Sequence, residues 1–314
     1  MSLSARAGAA AYLTGWRVIR HVPEPVARAG FRQAADLAWR KRGRSVVQLE
    51  RNLARVLGVE PTDPAVRELS RDAMRSYLRY WSEAFRMPTW DSDDVFAKIR
   101  VEGEESLKAE YALGVGVVLA LPHMANWDHA GAWVAAAGMP FTTVAEKLDP
   151  PELYEAFVAY RQGLGMEVLA LDKGSGVAAI ATLARRLRDG KLIALVADRD
   201  LTDAGLEVEF FGHPAKMPGG PAALSVSTGA GLIPVTQWYH EDHMHLRIHP
   251  KIHQPTHGSR QDRILSMTQS LAGVFEAAIR ANPADWHMLQ RLWSDDLRLR
   301  HHAVSSGRSP ARNS

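Results

Sequence analysis

The chain has 314 residues, of which 46% are hydrophobic and 23% charged, proportions typical of a globular protein that buries a core. It contains no cysteine, which excludes disulfide bonds, thiolate zinc sites and a cysteine nucleophile. The net charge is only +3, but residues 1–60 carry eleven Arg or Lys and four Asp or Glu, so this segment alone is +7. Such a basic segment indicates an anionic partner, either nucleic acid or a membrane surface.

Residues 8–58 predict a series of amphipathic helices. In the helix expected over Val26–Arg40, the residues Phe31, Ala35 and Trp39 form an apolar stripe. Two arrangements fit this pattern: helices that lie in the headgroup region of an anionic membrane, or a helical layer that packs on the core and exposes a basic face. Nucleic acid is a weaker candidate, because the aromatic residues fall on the apolar faces instead of alternating with the arginines.

The sequence contains no uninterrupted apolar run of about 18 residues, the length that a membrane-spanning helix needs. The apolar stretch near the start is broken by Thr14, Gly15 and Arg17 and does not fit a secretory signal. We therefore expect a protein that stays in the cytoplasm.

From residue 115 onward, predicted strands alternate with predicted helices, which favours a parallel sheet covered on both faces. The predicted strands cover residues 115–121, 141–145, 167–171, 191–197, 206–211, 232–237 and 244–248. We predict the fold class α/β, with a central mostly parallel sheet flanked by helices and an N-terminal amphipathic helical layer. We expect one domain over residues 1–300, with basic helices at 1–60, the α/β core at 115–250, and a disordered Ser-, Arg- and Pro-rich tail at 301–314.

Ionisable residues follow two of the predicted strands. His123 stands on the turn after the first of them, and Asp128 lies near the first turn of the next helix. Asp198 directly follows the strand 191–197. If the two strands are neighbours in a parallel sheet, their carboxyl ends meet and Asp198 can face His123. An acidic partner would hold the histidine in one tautomer and stabilise its imidazolium, as in His-Asp catalytic pairs.

Two further groups of residues could bind ligands. Arg161, on a predicted helix, could bind a phosphate or an oxyanion. His240, His243, His245 and His249 resemble a metal cluster, but we find no acidic or cysteine partner at ligand spacing, so solvated histidines on a hairpin are favoured. The sequence analysis therefore predicts no metal site.

Five stretches, taken in order, carry a family resemblance. They are Leu121-Pro122-His123-Met124-Ala125-Asn126-Trp127-Asp128, Ala197-Asp198-Arg199-Asp200-Leu201, Phe210-Phe211-Gly212, Met217-Pro218-Gly219-Gly220-Pro221 and Pro283-Ala284-Asp285-Trp286-His287-Met288-Leu289-Gln290. With them the chain resembles the bacterial lipid A biosynthesis acyltransferase group of the glycerolipid acyltransferase superfamily. The resemblance covers roughly residues 10–295, and the ordered set carries more weight than the His-x4-Asp spacing alone.

Within that group the chain resembles the branch that acylates phosphatidylinositol mannosides. The resemblance implies that a peripheral enzyme at the inner face of the plasma membrane transfers a long acyl chain, typically palmitoyl, from acyl-CoA to a mannose hydroxyl. No metal or cofactor is implied, and His123 would be the general base. Since this chain has Asp198 where the branch has glutamate, a side chain longer by one methylene, we expect Asp128 to share the orientation of His123.

The resemblance also implies substrate-binding residues and partners. Arg161 or Arg199 would bind the phosphates of CoA, and Asn126 in the motif would contact substrate. The expected partners are acyl-CoA, phosphatidylinositol mannoside and the anionic inner-leaflet membrane, without nucleic acid. Two alternatives stay open: an acyltransferase that acts on a lysophospholipid or a lipid A-type acceptor, and a non-catalytic membrane-binding protein in which His123 is structural.

Overall fold

A central sheet of seven strands organises the fold. The computed structural model describes residues 14–146, 150–171, 176–200 and 205–296. The strands in this part of the chain are β1 (Ile99–Glu102), β2 (Val117–Leu121), β3 (Phe141–Glu146), β4 (Glu167–Leu171), β5 (Leu192–Val196), β6 (Leu206–Phe210), β7 (His213–Met217), β8 (Gly231–Tyr239) and β9 (Met244–Ile248). The sheet has the order β1-β9-β8-β2-β5-β3-β4, and its neighbouring strands are parallel except β8 and β9. The prediction of an α/β fold with a mostly parallel sheet is confirmed.

Helices pack on both faces of this sheet. These helices and those of the N-terminal layer include α1 (Glu24–Lys41), α2 (Arg44–Leu57), α3 (Pro64–Arg86), α4 (Ser92–Ala97), α5 (Glu104–Ala112), α6 (Trp127–Ala136), α7 (Pro151–Gly163), α8 (Gly176–Arg188), α9 (Gly220–Thr228) and α10 (Arg260–Ala281). Several begin at side-chain caps. Asp63 accepts a hydrogen bond from the backbone of Ala65 ahead of α3, and Ser259 forms a capping box with Asp262 at the start of α10.

The apolar run of β2 is explained by burial on both faces of the sheet. Val118 and Ala120 belong to a core formed with α8, α9 and α10, whereas Leu119 and Leu121 belong to a second core beneath α6. Successive side chains of a strand point to opposite faces, so a strand covered on both sides needs apolar residues throughout. The alternating strand-helix pattern of the sequence follows from this layering.

Three elements differ from the prediction. Leu206–Phe210 is a strand, but it forms an antiparallel hairpin with β7 outside the main sheet. The sequence analysis missed β7 because Pro214 stands inside it, and a proline lowers the expectation of a strand. It also missed α5, which covers one edge of the core with the fully buried Leu107. The predicted tail, residues 301–314, and the predicted helix start at residues 8–13 lie outside the described residues.

The N-terminal helices form a layer packed on the rest of the chain. Asp36 on α1 pairs with Arg71 and Arg75 on α3 at 3.0 and 2.8 Å, and these two arginines lower the pKa of Asp36. The Trp39 indole donates to Ser70 at 3.0 Å. The N-terminal segment therefore forms the packed helical layer, which was one of the two arrangements that fitted its sequence. Among the described residues, no helix combines the length and the apolarity needed to cross a bilayer.

Candidate active site

The ends of β2 and β5 bring His123 and Asp198 together. The two strands are parallel neighbours with Leu121 opposite Val196, so the residues that follow them leave the sheet side by side. His123 Nδ1 lies 2.5 Å from Asp198 Oδ1, and the backbone N–H of His123 donates to Asp198 Oδ2 at 3.0 Å. The ring therefore carries its proton on Nδ1 and presents Nε2 away from the carboxylate. The expected contact between these two residues is present.

Asp198 is fully buried and has a second side-chain donor. The indole Nε1 of Trp286 donates to Asp198 Oδ2 at 2.9 Å. Burial alone would raise the pKa of Asp198, but the positive charge that His123 can carry and the hydrogen bonds from His123 and Trp286 outweigh it and hold the pKa below its usual range. Asp198 is therefore a fixed negative charge beneath the imidazole.

Asp128 does not contact the ring of His123 within the part of the chain that the structure describes. Its Oδ1 accepts from Arg161 Nε at 2.8 Å, and its Oδ2 accepts from the Tyr80 hydroxyl at 2.9 Å. The charge of Asp128 raises the pKa of Arg161. The expected share of Asp128 in the orientation of His123 has no direct contact to support it, because both of its oxygens are used by α3 and α7. Asp128 instead fixes Arg161 beside the site.

Asn126 holds the loop and the helix that follow His123. It is fully buried; its Oδ1 accepts from the backbone of His129 at the start of α6, and its Nδ2 donates to Glu83 Oε2 at 2.9 Å. Glu83 also accepts from the Tyr239 hydroxyl at 2.9 Å. With both ends of its amide bound inside the protein, Asn126 positions the motif loop, and its contact with substrate stays a prediction.

The loop that carries His123 is held in a strained conformation by a segment near the C-terminus. Ala125 has φ 41°, in the left-handed region that a side chain other than that of glycine rarely adopts. Its N–H donates to the carbonyl of Asp285 at 2.9 Å, and the N–H of His287 donates to the carbonyl of His123 at 2.8 Å. These contacts on both sides fix the loop, as is common where a backbone is strained at a functional site.

Three residues of this C-terminal segment received no individual role from the sequence analysis. Trp286 is fully buried against Asp198, and His287 Nε2 lies 2.8 Å from the hydroxyl of Ser76, which donates to Asp285 at 2.6 Å. Burial lowers the pKa of His287 to about 3, with a smaller contribution from the charge of His123. The sequence signal for these residues was the run Asp285-Trp286-His287, which places three side chains with polar atoms just after α10.

An apolar cavity of about 590 Å³ opens beside His123. It lies between α6 and one face of the sheet, and His123, Arg161 and Arg199 stand among its lining residues. Its apolar lining includes Leu119, Leu121, Trp133, Val134, Ala194 and Val196. This volume is within the range of about 300–1,000 Å³ that is typical of small-molecule sites. The cavity offers an apolar ligand a place next to the imidazole.

The two arginines at the cavity differ in their environment. Arg161 is largely buried, with 20% of its side chain exposed, and its guanidinium is committed to Asp128. Arg199 follows Asp198 directly, is partly exposed and lines the same cavity as His123. Both cations therefore line the cavity that holds the imidazole, and a carboxylate holds the guanidinium of Arg161.

The α/β fold, with a His-Asp pair beside an apolar cavity, agrees with the class of protein that comparison with known sequences gives. The sequence model of bacterial lipid A biosynthesis acyltransferases matches residues 2–295, so the chain belongs to this family and is an acyltransferase. A phosphatidylinositol mannoside acyltransferase of Mycolicibacterium smegmatis is 44% identical over 286 residues, which cover 91% of each chain. Another, of Mycobacterium tuberculosis, is 43% identical over 292 residues, which cover 91% of this chain and 89% of that protein. The family resemblance predicted from the ordered motifs is confirmed.

Proposed function

We propose that this chain transfers a long acyl group from acyl-CoA to a mannose hydroxyl of a phosphatidylinositol mannoside, with His123 as the general base. The two relatives are named as phosphatidylinositol mannoside acyltransferases, which supports this acceptor. The observation that carries the mechanism is the His123–Asp198 pair at the mouth of an apolar cavity. A thioester is already activated, so the reaction needs a deprotonated and well-positioned hydroxyl and no metal or cofactor.

His123 takes part in two proton transfers. Its Nε2 accepts the proton of the mannose hydroxyl as the oxygen attacks the thioester carbonyl. The tetrahedral intermediate then collapses with cleavage of the C–S bond, and the imidazolium returns the proton to the sulfur of CoA. Asp198 stabilises the imidazolium between these steps, since its carboxylate lies 2.5 Å from Nδ1 and is held in place by Trp286.

The cavity is the proposed site of the acyl chain. Leu119 and Leu121 on β2 and Ala194 and Val196 on β5 form part of its apolar lining. Leu121 and Val196 stand two residues before His123 and Asp198. A chain laid along this lining leaves its carbonyl carbon near His123. Each methylene removed from water contributes about 0.8 kcal/mol, so the cavity favours long acyl groups.

Arg199 is the proposed contact for the phosphates of CoA. It lines the cavity proposed for the acyl chain, directly follows Asp198 and is partly exposed. The guanidinium geometry suits a phosphate oxygen pair. Arg161, held by Asp128, adds positive potential to the same cavity and is a second candidate for a phosphate or for the oxyanion of the intermediate.

We also propose that α1 contacts the anionic inner leaflet of the membrane. Val26 and Leu37 are 61% and 53% exposed and lie about three helical turns apart, which puts them on one face. Basic residues of the same segment would bind anionic headgroups. Binding to vesicles that contain phosphatidylglycerol, weakened by salt and by Val26→Asp with Leu37→Asp, supports this proposal. Equal binding to neutral vesicles would oppose it.

A substrate panel tests the proposed reaction. The purified protein is incubated with palmitoyl-CoA and with mannosylated phosphatidylinositol, unmannosylated phosphatidylinositol, a lysophospholipid or a lipid A precursor, and the products are identified by mass. We expect acylation of the mannosylated lipid alone. Preferred acylation of a lysophospholipid or of the lipid A precursor would replace the proposed acceptor and leave the roles of His123 and Asp198 to be tested separately.

A further inference from the structure

The hairpin between β8 and β9 presents three histidines on one face. Tyr239 is opposite Met244, and the N–H of His240 donates to the carbonyl of His243 at 2.8 Å, so these two histidines are the next pair across the hairpin. The side chains of opposed residues share a face of a hairpin, and residues two apart along a strand share it too. His245 therefore lies on the same face as His240 and His243.

The imidazoles are close enough to share one ligand. The Nε2 atoms of His243 and His245 are 2.9 Å apart, and the ring centroids of His240 and His243 are 4.9 Å apart. His240, Asp242 and His243 each place a possible ligand atom within 4.8 Å of the others. Two nitrogens bound to one tetrahedral zinc ion lie about 3.4 Å apart, so small side-chain rotations suffice to admit an ion.

Asp242 orients the central histidine. Its Oδ1 lies 2.6 Å from His243 Nδ1, so this nitrogen carries the proton and donates it to the carboxylate. The free lone pair of His243 is then on Nε2, the atom that faces His245. A carboxylate behind a ligating imidazole is the usual arrangement at protein metal sites. The sequence analysis found no acidic partner at ligand spacing; the structure shows Asp242 in that role.

His245 is held flat by a neighbouring aromatic ring. It stacks on Trp238, which lies opposite it in the hairpin, with the two rings 5.0 Å apart and only 3° from parallel. Its Nε2 lies 2.9 Å from Nε2 of His243 and donates to the lone pair there. A metal ion would bind both atoms once His245 carries its proton on Nδ1 instead of Nε2.

We propose that His240, His243 and His245 bind one divalent transition-metal ion, with Asp242 supporting His243. Three imidazoles suit Zn²⁺, Co²⁺, Ni²⁺ or Cu²⁺, whereas Mg²⁺ and Ca²⁺ prefer oxygen ligands. A water molecule can complete the coordination. The site takes no part in acyl transfer, because none of these four residues lines the cavity beside His123.

The metal would stiffen the contact between this hairpin and the N-terminal helices. Arg79 on α3 donates to the carbonyl of His240 at 2.6 Å, and Arg28 on α1 donates to the carbonyl of Glu241 at 3.0 Å. Both acceptors belong to the turn that the ion would close. An ion that binds the folded state alone raises its stability by mass action. The proposal therefore predicts a higher melting temperature with the metal.

Titration of the untagged full-length protein with Zn²⁺ tests the site. We expect one Zn²⁺ per chain by calorimetry after treatment with a chelator, a rise in melting temperature, and no response to Mg²⁺. His243→Gln should weaken binding more than 100-fold, and Asp242→Asn by about 10- to 100-fold. His253→Gln, which changes an exposed histidine outside the cluster, is the matched control and should bind as the wild type does.

A second measurement needs no variant. Imidazole ¹⁵N resonances of the wild-type protein should shift for His240, His243 and His245 on addition of one equivalent of Zn²⁺, and the other histidines should stay in place. The proposal is overturned if His243→Gln binds Zn²⁺ within a few-fold of the His253→Gln control. It is equally overturned if the wild-type protein binds no Zn²⁺ or if other histidines shift instead.

Discussion

Asp198 binds His123 through both of its carboxylate oxygens, one to the imidazole and one to the backbone. Oδ1 lies 2.5 Å from Nδ1 and Oδ2 accepts from the backbone N–H at 3.0 Å. The same carboxylate therefore sets the tautomer of the ring and the path of the loop that carries it. Substitutions of Asp198 should affect the chemistry and the placement of the imidazole together.

The first prediction concerns the charge of Asp198. Asp198→Asn keeps the size of the side chain but removes the charge that stabilises the imidazolium, so we expect kcat to fall by about 10³- to 10⁴-fold. Asp198→Glu keeps the carboxylate and should retain measurable turnover. Steady-state kinetics with palmitoyl-CoA measure both variants. Wild-type kcat in Asp198→Asn would remove Asp198 from the mechanism.

Trp286 is predicted to act as a positioning residue. Trp286→Phe removes the donor to Asp198 Oδ2 and should lower kcat several-fold with little change in KM. Trp293→Phe is the control, since that buried indole donates to Asn52 at 3.2 Å, away from the His-Asp pair. Each variant leaves a buried acceptor with one donor fewer and should lose about 1–3 kcal/mol of stability.

The two tryptophan variants should therefore differ in kcat but lose similar amounts of stability. Urea unfolding and steady-state kinetics on the same preparations give the comparison. If both variants lose kcat equally, the effect of Trp286 is general destabilisation and its link to Asp198 has no functional meaning.

The third prediction concerns acyl-chain length. Ala194 lines the cavity, so Ala194→Leu should displace several methylenes of a bound chain, each worth about 0.8 kcal/mol. We expect kcat/KM to fall roughly tenfold or more for palmitoyl-CoA and to change little for octanoyl-CoA. Ala184→Leu adds the same volume to the core on the other face of the sheet and should leave the chain-length preference unchanged. An unaltered preference in Ala194→Leu would place the chain elsewhere.

The stability of the protein should depend on pH through His287. Its pKa is about 3 in the folded chain, whereas an exposed histidine has a pKa of 6.5. Between these values the unfolded chain binds a proton that the folded chain does not, so stability is lost as the pH falls below 6.5. Unfolding free energies at pH 7.5 and 5.5 should differ by about 1.4 kcal/mol more in the wild type than in His287→Asn. Equal differences would show that His287 titrates normally.

The pairing of His123 with Asp198 could be predicted because it depends on local order. Each residue follows an apolar strand, and parallel neighbours align their carboxyl ends. The sequence cannot show which side chains from other elements reach the same place. Asp128 was expected to orient His123, but Tyr80 on α3 and Arg161 on α7 take its oxygens. Asn126 was expected at the substrate, but Glu83 and the cap of α6 use its amide.

The sheet was predictable for a similar reason, and the hairpin β6–β7 was not. Fully buried parallel strands require unbroken apolar runs, which stand out in the sequence. The strand β7 contains Pro214 and Lys216 and shows no such run. Its pairing with β6 is decided by packing against α10, where Gln269 binds the backbone of Glu209. Such contacts join residues that are far apart in the chain, so the local sequence of β7 does not predict its pairing.

The measurement that most directly tests the account is acyl transfer by His123→Ala. A general base contributes about 10²- to 10⁴-fold, so we predict that kcat with palmitoyl-CoA and a phosphatidylinositol mannoside falls by at least 100-fold. Binding of palmitoyl-CoA should change little, because the cavity and Arg199 are intact. Wild-type turnover in a folded His123→Ala protein would contradict the assignment of His123 as the base.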